Sequence, residues 1–296
     1  MLDPSTPSFV FCESVGMRIV MIERGAGDPP GVAWPEGVSS AGVERCLAVI
    51  EARDPLTLPA ERAQLAAADR VALAMGAAGE IQGLAWRVAT PEGLTVDVRV
   101  QPGLRRHGIG SALLDAVAQG AGPLRAGCDA AHPRVRRFLG HRRFALRGVV
   151  FHQRWDGEMR DVPAAFASAR VVAPVEAESA IALLALASQG TWPRPNLTVE
   201  RAAQARIRIA YRMGEPAGVL CAHRERDAWE VDGLAVLPAQ RRSGVGRQLL
   251  AELMGHAAAG GAGVTLRIAQ QDEDALAWTQ KLGFWTYRTW AEFVRA

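Results

Sequence analysis

Apolar residues recur along this chain at every second position in some segments and at every third or fourth in others. These segments follow one another in the same order twice. Residues 1–16 lack periodicity and read as a flexible N-terminal extension or a misplaced start; from Met17 the segment MRIVMIERG reads as an edge strand. Val43, Leu47 and Ile50 stand at helical spacing and predict a helix over Ser39–Arg53, with a second helix after Pro59. Strands are predicted at Val71–Met75, Ile81–Ala89 and Leu94–Val100, divided by the turn sequences GAAGE and TPEG. A loop and a helix come next. They are followed by a strand near Leu124–Cys128, a helix near Pro133–Leu139 and a strand from Phe144 to Trp155.

The sequence from Gly157 carries a proline and no sustained pattern, which places a linker at 157–167 between units 17–156 and 168–296. The second unit opens with the strand sequence ARVVAP, the helix Glu176–Ser188 and the proline-rich loop TWPRPNL. Strands are predicted at Ile207–Met213, Ala217–His223 and Trp229–Leu237. A helix runs from Gly244 to about Ala259, a strand over Val264–Ala269, a helix over Asp272–Leu282, and a last strand starts at Phe284. Each half is therefore expected to be an α/β (α+β) unit, a mixed and mostly antiparallel sheet with helices on both faces.

The repeat is sharpest in one segment. VDVRVQPGLRRHGIGSALL begins at Val96 and returns 136 residues later as DGLAVLPAQRRSGVGRQLL, from Asp232. Arg105, Arg106, Gly108 and Gly110 match Arg241, Arg242, Gly244 and Gly246. Both copies read as an apolar strand, a proline, a basic pair, a G-x-G loop and a helix. Such a loop exposes unpaired backbone N–H groups beside the positive end of a helix dipole, which suits a diphosphate. Two copies imply two sites, or one site and its relic. The dinucleotide fingerprint G-x-G-x-x-G is absent, as is the G-K-[ST] ending of a P-loop.

Composition narrows the classes further. A length of 296 residues, about half of them apolar, suits two domains with proper cores. No apolar run approaches the roughly 18 residues of a membrane span. The opening MLDPSTPSFVF has no basic region of a secretory leader, so a cytoplasmic protein is expected. Cys12, Cys46, Cys128 and Cys221 are scattered, which suggests neither a disulfide framework nor a metal site. The net charge of +3 divides as +2 for residues 1–156 and +1 for the rest; a nucleic-acid binder more often shows a domain-wide basic excess. Arg134, Arg136, Arg137, Arg142, Arg143 and Arg147 do cluster near His132 and His141, as a solvated helix face or as a nucleic-acid or anionic-ligand patch.

The R-x-x-G-x-G loop, with its aliphatic strand before and helix after, resembles the acyl-CoA-binding motif [QR]-x-x-G-x-[GA] of the GNAT N-acetyltransferase superfamily. The resemblance covers nearly the whole chain as two successive units. It implies acetyl-CoA as co-substrate. The diphosphate would lie on Arg241, Arg242, Ser243, Gly244, Val245, Gly246 and Arg247, or on Arg105, Arg106, His107, Gly108, Ile109, Gly110 and Ser111. In that fold the strand before the motif splays from its neighbour and pantetheine enters the gap. Leu234, Ala235 and Val236, or Val98, Arg99 and Val100, would make those contacts. A backbone N–H there would polarise the thioester carbonyl.

An acceptor amine arrives mostly protonated, so something must take its proton. Glu230 lies eleven residues before Arg241, where related enzymes carry a basic glutamate; the first copy has Leu94. Asp232, two residues on, is expected on the same strand face, and a carboxylate pair there would raise one pKa. Where the family keeps an asparagine and a tyrosine in the next helix, this chain has Asp272, which the resemblance makes a candidate cofactor contact, and Thr279; the first unit has Leu139 and Arg143 at the tyrosine and glycine places. The first unit thus reads as degenerate. This asymmetry, with the ending LGFWTYRTW, is similar to the mycothiol synthase type of tandem GNAT, in which the C-terminal unit carries catalysis. Trp192, Trp285 and Trp290 are candidates to line an acceptor pocket, and His223 to assist a base. The expected activity is acetyl transfer to the primary amine of a small molecule by direct attack in a ternary complex, without a metal. A CoA-binding sensor or scaffold without turnover is the alternative.

Overall fold

The computed structural model describes residues 9–12, 17–23, 34, 38–54, 62–90, 92–157, 169–171, 177–188 and 199–296. The chain divides into two compact units, residues 1–148 with 291–296, and residues 149–290. The first contains β1 (Phe9–Cys12), β2 (Met17–Glu23), α1 (Ser40–Arg53), α2 (Arg62–Ala66), β3 (Arg70–Met75), β4 (Ile81–Thr90), β5 (Gly93–Val100), α3 (Ile109–Ala118), β6 (Leu124–Asp129) and α4 (Pro133–His141). The strands run in the order β1-β2-β3-β4-β5-β6. The unit boundary falls inside β7 (Ala145–Trp155) and again inside β13 (Trp285–Arg295). The second unit contains β8 (Ala169–Val171), α5 (Ala177–Ala187), α6 (Val199–Gln204), β9 (Arg206–Arg212), β10 (Glu215–Glu225), β11 (Ala228–Val236), α7 (Val245–Ala259), β12 (Gly263–Ala269) and α8 (Glu273–Lys281). There the order is β7-β12-β11-β10-β9-β8. Both units are mixed, mostly antiparallel sheets flanked by helices.

The elements follow from local chemistry. The Ser39 hydroxyl accepts a hydrogen bond from the Gly42 N–H at 3.1 Å and caps α1, one residue inside the predicted start. Val43, Cys46, Leu47 and Ile50 then pack one stripe of α1 on Leu73, Leu84 and Trp86. In the second unit β10 is buried on both faces, which is why its sequence AGVLCA shows no polar alternation. Val219 and Cys221 join the α5 side, while Leu220 and Ala222 join the α7 side with Leu249, Leu250 and Leu253. Each such leucine contributes about 1.5–3 kcal/mol by burial.

Gly218 lets β10 pass under β11 and α7. A Cβ there would sit 2.9 Å from the Ala235 carbonyl oxygen and 2.9 Å from Val245 Cγ1. Gly83 does the same in the first unit, 2.7 Å from the Arg99 carbonyl.

Three features depart from the sequence reading. Phe9–Cys12, expected in a flexible extension, pairs antiparallel with β2, so Met17–Glu23 is not an edge. The helix after Pro59 is only five residues long, and α6 forms where no helix was expected. The linker, apart from Gly157, and the Trp192 loop lie outside the described residues.

Candidate active site

The two R-x-x-G-x-G copies adopt the same local structure. A proline opens a short 3-10 turn after the strand, at Pro102–Leu104 and at Pro238–Gln240. Arg106 and Arg242 then take positive φ, +74° and +60°, and Gly108 and Gly244 cap the helices at +82° and +88°. The first helical bonds come from the N–H groups of Ala112 and Gln248. The N–H groups of residues 106–111 and 242–247 therefore have no backbone acceptor among the described residues. A curled run of free donors at a helix N-terminus is an anion cradle.

The first arginine of each pair braces its own loop. Arg105 Nε donates to the Val100 carbonyl and Arg241 Nε to the Val236 carbonyl, at 3.1 and 3.3 Å, tying each loop to its strand. Arg241 also donates to the Ala187 carbonyl at the end of α5. Arg242, Ser243 and Arg247 are exposed, with Arg242 3.4 Å from Asp274.

Below this loop the sheet opens. β11 and β12 pair in parallel only from Ala228↔Gly263 to Glu230↔Thr265. Past Glu230 a cavity of about 750 Å³ is lined by Val231–Val236, by Leu266–Ala269 and by the α7 loop. Val245, Gly246, Asp272 and Thr279 also line it. Asp272, named from the sequence as a cofactor contact, caps α8 by accepting from the Ala275 N–H at 3.1 Å.

β11 carries a bulge. Gly233 opposes Cys221 and Val231 opposes Ala222, leaving Asp232 as the extra residue. The bulge keeps Asp232 on the side of His223 and Glu230, whose Cα atoms are paired, while Leu234 and Val236 turn to the α7 core. Asp232, 3 % exposed, lies with Oδ2 2.9 Å from His223 Nδ1. Nε2 of the same imidazole is 3.6 Å from Glu225. Burial, and then a hydrogen bond with Glu225, push the Glu230 carboxyl above the ordinary carboxylate range, while Arg267 and His223 oppose the rise. The carboxylate that raises Glu230 is thus Glu225; Asp232, expected from the sequence in that role, is turned to the imidazole. Ligand atoms of His223, Glu225 and Glu230 lie within 4.8 Å of one another, close enough to approach one cation.

Thr279, 1 % exposed, donates to Gln153 Oε1 at 2.6 Å or to the Ala275 carbonyl at 2.9 Å. Its hydroxyl is thus held within the fold. On the Glu230 face of the sheet, Arg267 of β12 pairs in register with His152 of β7. The His152 ring meets Tyr287 edge-on at 6.1 Å. Burial, then Arg267 and Arg288, lower the His152 pKa to about 4. Trp285 is half-exposed and donates to Asp156 at 2.8 Å; Trp290 is half-buried.

The first unit repeats the frame with different contents. β5 and β6 pair only at Leu94↔Leu124 and Thr95↔Arg125. β4 and β5 keep an unbroken register with no bulge. Where the second strand has Gly233 and Ala235, the first has Asp97 and a buried Arg99, paired at 2.6 Å with Arg99 over Trp86. Arg105 is pinned to Asp54 at 2.6 Å, and Asp54 also meets His132 at 3.2 Å. Leu139 is buried at the Thr279 place, and Arg143 holds at φ +63° the turn that Gly283 makes at +87°. A side chain there carries strain of about 1 kcal/mol. In the arginine cluster, Arg142 pairs with Asp115 and Arg147 with Glu92.

Sequence reasoning missed the bulge, Glu225, Gln153 and Arg267. For Arg267 a signal existed: Val264, Leu266 and Ile268 alternate with Thr265 and Arg267, so one face of β12 is polar.

The acetyltransferase (GNAT) family matches residues 177–284. Among solved structures, the chain is similar to a GCN5-related N-acetyltransferase from Sphaerobacter thermophilus, with 15 % identity over 86 % of this chain and 91 % of that one, TM-score 0.65. It is also similar to a tandem GNAT protein from the clavulanic acid biosynthesis pathway, with 19 % identity over 86 % and 94 %, TM-score 0.63. A GNAT-family acetyltransferase from Colwellia psychrerythraea gives 13 % identity over 88 % and 98 %, TM-score 0.58. No curated protein matches the chain. At these identities the structural likenesses speak to the fold.

Proposed function

We propose that the second unit, whose residues 177–284 match the acetyltransferase (GNAT) family, transfers an acetyl group from acetyl-CoA to the primary amine of a small molecule. The observation that carries this reading is the parting of β11 from β12 after Glu230, which opens the cavity beneath a free N–H array. The donors of residues 242–247 suit the diphosphate, and the gap between the strands suits the extended pantetheine arm beside Leu234, Ala235 and Val236. Side chains can vary there because backbone groups make the contacts.

Glu230 is the proposed proton acceptor. Its raised pKa brings it nearer the working pH, where a base is most effective. The amine loses its proton to Glu230, directly or through a water, as nitrogen bonds to the acyl carbon and the C–S bond breaks. Asp232 acts on His223 as a positioning residue, and His223 supplies polar support beside Glu230. No hydroxyl acid is assigned: Thr279 is tied to Gln153 or its own helix. A thiol pKa near 8.5 makes the departing sulfur a tolerable thiolate, which takes a proton from solvent. The first unit, with Leu94, Leu139 and the Arg99–Asp97 pair filling its strand, is proposed to bind acetyl-CoA weakly or without turnover.

An amine panel incubated with acetyl-CoA, followed by free thiol release and by mass gain of 42 Da (about one acetyl group) on the amine, tests this reading. Acetylated product is expected. Tight acetyl-CoA binding with no thiol release from any amine would instead favour a CoA-binding sensor, a reading to which the engaged Thr279 hydroxyl lends weight.

A further inference from the structure

One wall of the cavity carries a cation that the reaction above leaves unused. Arg267 is half-buried and lines the cavity on β12. Its neighbours Leu266 and Ile268 turn to the α7 core, so strand alternation puts Arg267 on the opposite face, with Glu230 and His152. Its guanidinium makes no hydrogen bond and no ion pair among the described residues. It is near enough to lower the Glu230 pKa, yet the two form no salt bridge. His152, beside it, is held neutral and offers it no counter-charge.

A guanidinium drawn partly out of water without an acceptor is unfavourable until an anion meets it. Planar paired donors make carboxylate and phosphate its best complements. The acidic groups Glu225, Glu230 and Asp232 gather on β10 and β11; of the other cations, Arg154 of β7 is paired with Asp156 and Asp227, and Arg288 acts on His152 from β13. One side of the face is thus negative and the other positive, with an unbridged gap between Glu230 and Arg267.

Resting on the N-acetyltransferase reading, we propose that the acceptor is a small amine that also carries an oxyanion group, carboxylate or phosphate. Its amine lies at Glu230 and its anion at Arg267. Half-exposed Trp285 and Tyr287 border the same face and give the connecting carbon chain an apolar neighbour.

The test compares amino acids with their carboxamides, and phosphoethanolamine with ethanolamine, in wild type, Arg267→Met and Arg267→Lys. Wild type is expected to prefer one of the anionic acceptors over its neutral partner by at least tenfold in kcat/KM. Arg267→Met should reduce that preference at least tenfold, chiefly through KM, and Arg267→Lys should keep part of it. Thermal melting establishes that each variant is folded. The acid and phosphate arms tell which anion is taken.

Wild type that acetylates neutral amines as well as anionic ones overturns the proposal and leaves N-acetyltransfer standing. So does a folded Arg267→Met with its preference intact, or one whose only defect is weaker acetyl-CoA binding. Transfer to no amine at all removes the underlying reading as well.

Discussion

The Asp232 carboxylate holds the His223 imidazole, Oδ2 to Nδ1 at 2.9 Å, across the β10–β11 ladder. Facing a carboxylate, Nδ1 carries the proton, so Nε2 is the acceptor nitrogen of the neutral ring. A buried acid orienting a half-buried histidine beside a raised glutamate makes a linked set.

Asp232→Asn should therefore lower turnover by about tenfold, less than loss of Glu230, and shift the pH–rate profile. His223→Asn should do much the same, and the double variant should be little worse than either single one. Coupled residues fail additivity in this way. A double-mutant cycle on kcat checks it; independent, multiplying losses would show that the two side chains act separately.

The two loops offer matched substitutions. Gly244→Asp puts an anion, and a side chain at φ +88°, where the diphosphate is proposed to bind. It should weaken acetyl-CoA binding at least tenfold, about 1.4 kcal/mol. Gly108→Asp should leave turnover nearly intact. Calorimetry and steady-state rates on both variants decide which unit works; a dead Gly108→Asp beside an active Gly244→Asp reverses the assignment.

Gly218→Ala probes the frame beneath the site. Its methyl would meet the Ala235 carbonyl, which cannot move without disturbing β11. Destabilisation of about 1–3 kcal/mol is expected from overpacking, with weaker acetyl-CoA binding alongside. Denaturant unfolding measures the first and calorimetry the second.

Burial holds His152 neutral, with its pKa lowered to about 4 from an ordinary value near 6.5. The unfolded chain binds that proton more readily, so this contribution is intact above pH 6.5 and is lost as pH falls toward 4. The loss amounts to at most roughly 3 kcal/mol. His152→Gln should flatten the fall in Tm between pH 6.5 and 4; an unchanged slope would mean that other groups drive acid unfolding.

Much of this was legible in the sequence because the repeat fixed both frames. Strand, proline turn, glycine cap and helix come from residues whose backbone preferences are local: Pro238 starts a 3-10 turn, and Gly244 supplies a left-handed cap. Glu230 was legible by its spacing from Arg241. The bulge at Asp232 was not, because alternation alone carries 230, 232, 234 and 236 along one face. The structure sends Leu234 and Val236 to the other. Glu225 and Arg267 were also missed as partners of Glu230, since strand neighbours come from pairing register, which no local pattern states. The motif arginines were readable as basic but not as struts: Arg105 and Arg241 reach back to the carbonyls that end their own strands.

The pH dependence of kcat/KM for Glu230→Gln against wild type tests the central claim most directly. Wild-type activity should rise with pH through a Glu230 pKa lifted above the ordinary carboxylate range by burial and Glu225, because the base works only when ionised. In Glu230→Gln that limb should vanish and turnover at neutral pH should fall by roughly 10²-fold or more. Part of it should return at high pH, where the amine is already neutral. Full turnover at neutral pH with the wild-type limb unchanged would contradict the account and take the proton-accepting role away from Glu230.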